Sequence, residues 1–335
     1  MEMKRIDSED QGGASSRMLK KPATMCESPT HLIGVQAETP LAWSMDGSTL
    51  LFASENHSIY LCEYNESKDG EINVPIVDIL PTQHRFKVLD ATFHPKYPET
   101  NEVVSCGMDG ILVWNASEVG VKHRQPVSDN VGETKLHTAQ VECLCWAYGG
   151  DVLITGSKDN TIRLWDATNN YQHLEVLTSH KAAVLTLAYC EETKMLASSG
   201  RDSMLIFWNL ESISPDLRAE RTRDQSIKCN ILSSLDGHRG DVCTLTWSDG
   251  GRSLLSGARD NSIKLWDCEM FKELREITSA NPHDADIRRL TYVKSNDGEF
   301  ILSFCFCLFV FVFFLLFFLS FFFFSFSPSP FHTSP

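Results

Sequence analysis

The sequence predicts an all-β fold, a β-propeller of four-stranded antiparallel blades, and three observations carry that expectation. One pattern recurs at fixed internal spacing: His137, Asp159 and Trp165; His180, Asp202 and Trp208; His238, Asp260 and Trp266. In each copy the His-to-Asp step is 22 residues and the Asp-to-Trp step is 6. A hydroxyl residue stands four places before each Asp, as Thr155, Ser198 and Ser256. A period of about 40 to 60 residues carrying short β-type segments marks a propeller or a similar array.

The first copy reads as a series of short strands. Val141 to Trp146 is apolar-rich and alternates as a half-buried strand does, and Gly149, Gly150 and Asp151 turn the chain. Val152 to Ser157 runs back, Lys158, Asp159 and Asn160 form a tight turn, and Thr161 to Trp165 is the third strand. Leu174 to Thr178 is the fourth, before the next copy opens at His180. Asp and Asn suit the tight turn because their side chains bond nearby amides and tolerate left-handed dihedrals. Four short antiparallel strands make one blade.

The segments GSKDNTIRLWD (156–166), GARDNSIKLWD (257–267) and DGHRGDV (236–242) resemble WD-repeat β-propeller proteins. Weaker copies widen the resemblance. His84, Val88, Ser105, Asp109 and Trp114 keep the order, and Thr49 to Cys62 matches a second and third strand, with Asn56 at the turn and Cys62 at the Trp position. An apolar residue follows each repeat His by four places: Val88, Val141, Val184, Val242 and Ile287. The sixth copy starts at His283, with a strand over Ile287 to Tyr292, a turn at Asn296, Asp297 and Gly298, and a strand beginning Phe300 to Ser303. About five blades are recognisable and a sixth is interrupted, against a usual ring of seven in the resembled family.

The resemblance implies a buried hydrogen-bonded chain of His, Ser/Thr, Asp and Trp in each blade. Its members here are His137, Thr155, Asp159, Trp165, then His180, Ser198, Asp202, Trp208, then His238, Ser256, Asp260, Trp266. A Ser-His-Asp set invites a hydrolase reading, but a catalytic triad is a single geometry and not one repeated in every blade. The resemblance also places the residue before each turn Asp on a partner-facing rim. These residues are Lys158, Arg201 and Arg259, with Met108 in the second copy and Asp241 and Arg239 nearby. Cations there suit an acidic or phosphorylated segment of a protein partner.

Composition narrows the function classes. The formal charge of −14 disfavours direct binding to a phosphate backbone. No CxxC pair occurs among the 11 cysteines, and Cys143 and Cys145 share a strand face, as small core hydrophobes do. No phosphate-cradling glycine loop, metal-ligand cluster or unrepeated nucleophile and base is present, so no catalytic, cofactor or metal site is expected. Residues 1–30 read as a disordered leader without a secretory signal, and 31–303 as the incomplete propeller. Residues 115–135 and 210–227 read as insertions between third and fourth strands. Trp165-Asp166 and Trp266-Asp267 are not followed by the Arg of the form associated with ubiquitin-ligase adaptors.

From Phe304 the composition changes within one strand to Phe, Leu, Ser, Val and Cys. Phe, Leu, Ser and Pro are the residues of pyrimidine-only codons, so 304–335 reads first as a translated intron end, a gene-model artefact. The competing reading is a C-terminal membrane anchor, since 304–324 is a span of 21 uncharged residues. The functional expectation is a non-enzymatic protein-interaction scaffold or adaptor of the cytoplasm or nucleus. The alternatives are a chromatin- or RNA-associated subunit of a larger complex and a tail-anchored membrane propeller.

Overall fold

The structure is a computed structural model that describes residues 41–53, 57–66, 72–73, 76–80, 84–116, 120–125, 136–215, 228–277, 286–295 and 298–305. The leader 1–30, Asn56, His283, Asn296, Asp297 and the tail from 306 lie outside the described residues.

Five four-stranded antiparallel blades and a two-stranded sixth unit follow one another along the chain. The first blade contains β1 (Leu41–Trp43), β2 (Thr49–Ala53) and β3 (Ile59–Glu63). A small hairpin, β4 (Asn65–Glu66) with β5 (Ile72–Asn73), precedes its outer strand β6 (Ile76–Leu80). The second blade is β7 (Val88–Phe93), β8 (Glu102–Gly107), β9 (Gly110–Asn115) and β10 (Gly120–Gln125). The third is β11 (Val141–Ala147), β12 (Val152–Ser157), β13 (Thr161–Asp166) and β14 (Gln172–Thr178). The fourth is β15 (Val184–Cys190), β16 (Met195–Gly200), β17 (Leu205–Asn209) and β18 (Asn230–Leu235). The fifth is β19 (Val242–Ser248), β20 (Ser253–Ala258), β21 (Ile263–Asp267) and β22 (Lys272–Ile277). The sixth unit is β23 (Ile287–Ser295) paired with β24 (Gly298–Cys305).

Apolar burial between units holds the array in sequence order. Val88, Val141, Val184, Val242 and Ile287 open the inner strands and are buried to 1% exposure or less. A one-residue irregularity follows each of them in the pairing with the second strand. Val184 packs into the third blade against Cys143, Ile154 and Ile162, and Ile287 joins Leu255 of the fifth. This close approach needs a small residue on the second strand. A Cβ on Gly156 would lie 2.7 Å from Val184 Cγ1, and one on Gly257 would lie 2.6 Å from Ile287 Cγ2. Leu144, Leu187, Leu245 and Leu290 are buried on these inner strands, whereas Leu41 and Trp43 of β1 are 50% and 48% exposed.

One expectation is corrected. Segment 115–135 does not join third to fourth strand, because β10 lies inside it and the joint is only 116–119. The sequence GVKHRQ shows no apolar alternation that would mark it as a strand. In the fourth blade the joint does match, running from Leu210 to Cys229, with 216–227 outside the described residues. The strand entering the tail continues to Cys305, two residues past the compositional boundary at Ser303. Phe304 pairs with Arg289 at the register position held by Cys106, Gly156, Ser199 and Gly257 in the four preceding blades. No helix of the described residues is long and apolar enough to cross a membrane.

Candidate functional site

Each of the three repeated sets forms one directional hydrogen-bonded chain. In the third blade Trp165 Nε1 donates to Thr155 Oγ1 at 3.0 Å, Thr155 lies 2.8 Å from His137 Nε2, and His137 Nδ1 lies 2.9 Å from Asp159. In the fourth, Trp208, Ser198, His180 and Asp202 join through three links of 2.8 Å. In the fifth, Trp266, Ser256, His238 and Asp260 join at 2.7, 2.6 and 3.1 Å. The second blade repeats the arrangement with Trp114, Ser105, His84 and Asp109 at 2.7, 2.7 and 2.6 Å. Neutral His satisfies every member: Nε2 accepts from the hydroxyl and Nδ1–H donates to the carboxylate.

The turn Asp is the hub. Asp159 also accepts from Thr138 N–H, Thr161 N–H and the Thr161 hydroxyl. The residue after it takes the left-handed conformation, with φ of 69° at Asn160 and 63° at Asn261. Asn adopts that region more readily than most residues. Burial raises the Asp159 carboxyl, but the bonds from His137, Thr161 and Thr138 outweigh it and hold the group well below the usual carboxylate range. Burial pushes His137 and His238 below the ordinary imidazole value, against the pull of Asp159 and Asp260.

These sets have the connectivity of a hydrolase triad but not its accessibility. The hydroxyls of Ser105, Thr155, Ser198 and Ser256 belong to residues with no exposed surface. Each already accepts an indole N–H and bonds to the His Nε2, so the hydroxyl is engaged on both sides. They brace the blades.

The rim residues meet at one end of the strands. Lys158, Arg201 and Arg259 N–H donate at 3.0, 2.9 and 2.9 Å to Gln140, Ala183 and Asp241 carbonyls, so the three occupy equivalent turns. Their side chains differ. Lys158 and Arg201 are exposed. Arg259 is an internal ion pair, with Asp241 at 3.1 Å and Asp286 at 3.6 Å. Arg259 therefore differs from Lys158 and Arg201 in carrying carboxylate partners, one of them Asp241.

A second set of rim cations includes Arg239, which the sequence reading named, and two that it passed over, Arg85 and Lys181. Arg85, Lys181 and Arg239 follow the repeat His directly, and their N–H groups donate to Asp109, Asp202 and Asp260 at 2.9, 2.9 and 2.7 Å. This anchors the backbone and leaves all three side chains exposed on the same rim. The signal was available as the position one after each His. Among the described residues, no group of three or more His, Cys, Asp or Glu could hold a metal ion.

The WD domain, G-beta repeat family matches residues 129–166, 171–209 and 229–267, which are the third, fourth and fifth blades. The chain carries three WD repeats. Its WD repeats resemble Protein HIR1 of Cryptococcus neoformans var. neoformans serotype D, with 27% identity over 227 residues. That match covers 61% of this chain and 24% of the relative. The CCR4-associated factor 4 homolog of Candida glabrata is 32% identical over 124 residues, covering 37% of this chain and 20% of the relative. The chain thus spans about a quarter or less of the length of these curated relatives.

Neighbouring blades are also tied to each other by groups six places after the repeat His. Asp90 accepts from Leu144 N–H at 2.9 Å, joining the second blade to the third. Thr244 accepts from Leu290 N–H at 3.1 Å, joining the fifth to the sixth unit. Burial pushes the Asp90 carboxyl up, and the charge of Arg289, reaching it from the sixth unit, opposes that rise.

Acid should weaken this WD-repeat scaffold in two stages. The depressed histidines favour the neutral form in the fold, so stability falls as pH drops below the free imidazole value of about 6.5. The depressed carboxyl of Asp159 stabilises above the free value of about 4 and loses that contribution as pH falls through it. Asp90, shifted upward, offsets a part of the second stage. Urea unfolding midpoints between pH 8 and 3 should fall in this order, and a midpoint rising on acidification would contradict the assignment.

Proposed function

We propose that this chain is a non-enzymatic interaction scaffold whose turn rim receives acidic or phosphorylated segments of protein partners. The observation that carries the reading is the separation of charge. In a chain of net charge −14, exposed Arg85, Lys158, Lys181, Arg201 and Arg239 gather at one rim. Among the described residues, the ion pairs include none of the five. An unpaired guanidinium or ammonium is where a carboxylate or phosphate gains charge-assisted hydrogen bonds. Similarity to HIR1 and to a CCR4-associated factor homolog supports a nuclear or cytoplasmic setting for such a scaffold.

The test is binding of fluorescent acidic and phosphorylated peptides to the full chain at two salt concentrations. The double variant Lys158→Glu, Arg201→Glu should bind about tenfold or more weakly, a change of about 1.4 kcal/mol or more. Its melting temperature should stay near wild type, because both side chains are exposed. Equal binding by the two proteins would remove the rim from the reading. Hydrolase activity lost in a His180→Ala variant would remove the scaffold itself.

A further inference from the structure

The second blade departs from its neighbours at the rim. Where the third and fourth blades place Lys158 and Arg201 before the turn Asp, it places Met108, and Phe86 stands two after its repeat His. Both are exposed, Phe86 by 45% and Met108 by 49%. The rest of this unit buries its apolar side chains well: Val88, Phe93, Val103 and Trp114 are nearly closed to solvent. The exposure is therefore confined to the rim.

The backbone keeps the two side chains at one place. His84 Nδ1 lies 2.6 Å from Asp109 and Arg85 N–H donates to the same carboxylate at 2.9 Å, which locks the loop of Phe86 to the turn of Met108. On one side is Arg85 in the same loop. On the other is the third blade, joined through Asp90 and Leu144, with Lys158 on its rim. Two exposed apolar side chains held beside exposed cations offer a neighbouring apolar group a surface to bury against. Methionine adapts its shape to an incoming side chain, and phenylalanine offers a flat apolar face.

We infer that the partner segment carries a large apolar side chain beside its acidic or phosphorylated residues, and that this side chain seats on Phe86 and Met108. This rests on the rim reading above and adds a residue class to it. The occupant is a peptide because the second blade presents an apolar platform in line with the cations of the third and fourth. The cations alone would hold any polyanion. The pair of features selects a chain whose apolar and anionic groups are neighbours.

Fluorescence anisotropy with the full chain tests this, using a set of phosphoserine peptides with Glu flanks and one Phe scanned through the flanking positions. An otherwise identical peptide with Ala in place of Phe is the reference. The best Phe peptide should bind wild type about tenfold or more tightly than the Ala peptide. The variant Phe86→Ser, Met108→Ser should lose that advantage while binding the Ala peptide as wild type does. Lys158→Glu, Arg201→Glu should weaken both peptides alike. Equal affinity for Phe and Ala peptides overturns the apolar seat and leaves the charge reading standing. No binding of either peptide overturns both readings. Salt-dependent binding of single-stranded RNA without peptide binding also overturns the inference, since the rim would then serve another class of polymer.

Discussion

Replacing Trp266 with alanine is expected to destabilise the protein by about 3–5 kcal/mol. The indole is 2% exposed and packs with Phe207, Leu245 and Leu254 across the fourth and fifth blades. Gly237 packs against the tip of the ring, where an added Cβ would lie 2.8 Å from it. Truncation therefore leaves a cavity and also withdraws the N–H that Ser256 receives at 2.7 Å. Trp266→Phe separates the two effects, keeping most of the volume and removing the donor, and should cost about 1–3 kcal/mol. Lys158→Ala is the control, since an exposed rim side chain should change stability by about 0.5 kcal/mol or less. Urea unfolding of the three variants measures this. Equal midpoints for Trp266→Ala and Lys158→Ala would mean that the tryptophan does not brace its blade.

The second large effect is expected at Gly156. Gly156→Phe should cost about 3 kcal/mol or more, the upper end of the range for overpacking. The position has no room: a Cβ there meets Cys143 Sγ and Val184 Cγ1, each at 2.7 Å. A benzyl group must therefore push β15 away from β12 and open the core shared by the third and fourth blades. The measurement is the unfolding midpoint together with amide exchange in β15, which should become faster than in wild type. Unchanged exchange in β15 would show that the blades do not depend on a bare position at 156. The result bears on the sixth unit, where Phe304 holds the same register position. The other units keep Cys, Gly or Ser at that register position, so a phenylalanine there departs from the pattern of the propeller. This is the physical reason for proposing that native sequence of the propeller type stops at Ser303. A processed transcript that continues past the Ser303 codon with a Gly- or Ser-x-Asp turn would bear this out. One encoding the Phe run would count against it.

Much of the molecule follows from the sequence alone, and the reason is locality. His, Thr, Asp and Trp of the third blade lie within 28 residues (165−137), so strand length and turn geometry fix their meeting before any other blade is present. Burying such polar groups is tolerable only when every donor and acceptor is matched, which keeps His, hydroxyl, Asp and Trp in order in each blade, at steps of 22 and 6 in three blades and 25 and 5 in the second. The apolar residue four places after each His is legible for the same reason, as the start of an inner strand. The outer strand β10 was not legible, because GVKHRQ lacks the apolar residues that Leu174, Val176 and Leu177 supply in the outer strand β14.

What only the tertiary structure decided lies between blades. Asp90 meets Leu144 across 54 residues of chain, and no spacing rule in one repeat predicts it. Lys158, Arg201 and Arg259 are alike in sequence context, yet Asp286 and Asp241 occupy Arg259 alone. Which cations are left to bind something else depends on which carboxylates neighbouring units bring within a few ångströms. That distance is set by the packing of whole blades, and Coulomb attraction falls too steeply in water for sequence proximity to stand in for it.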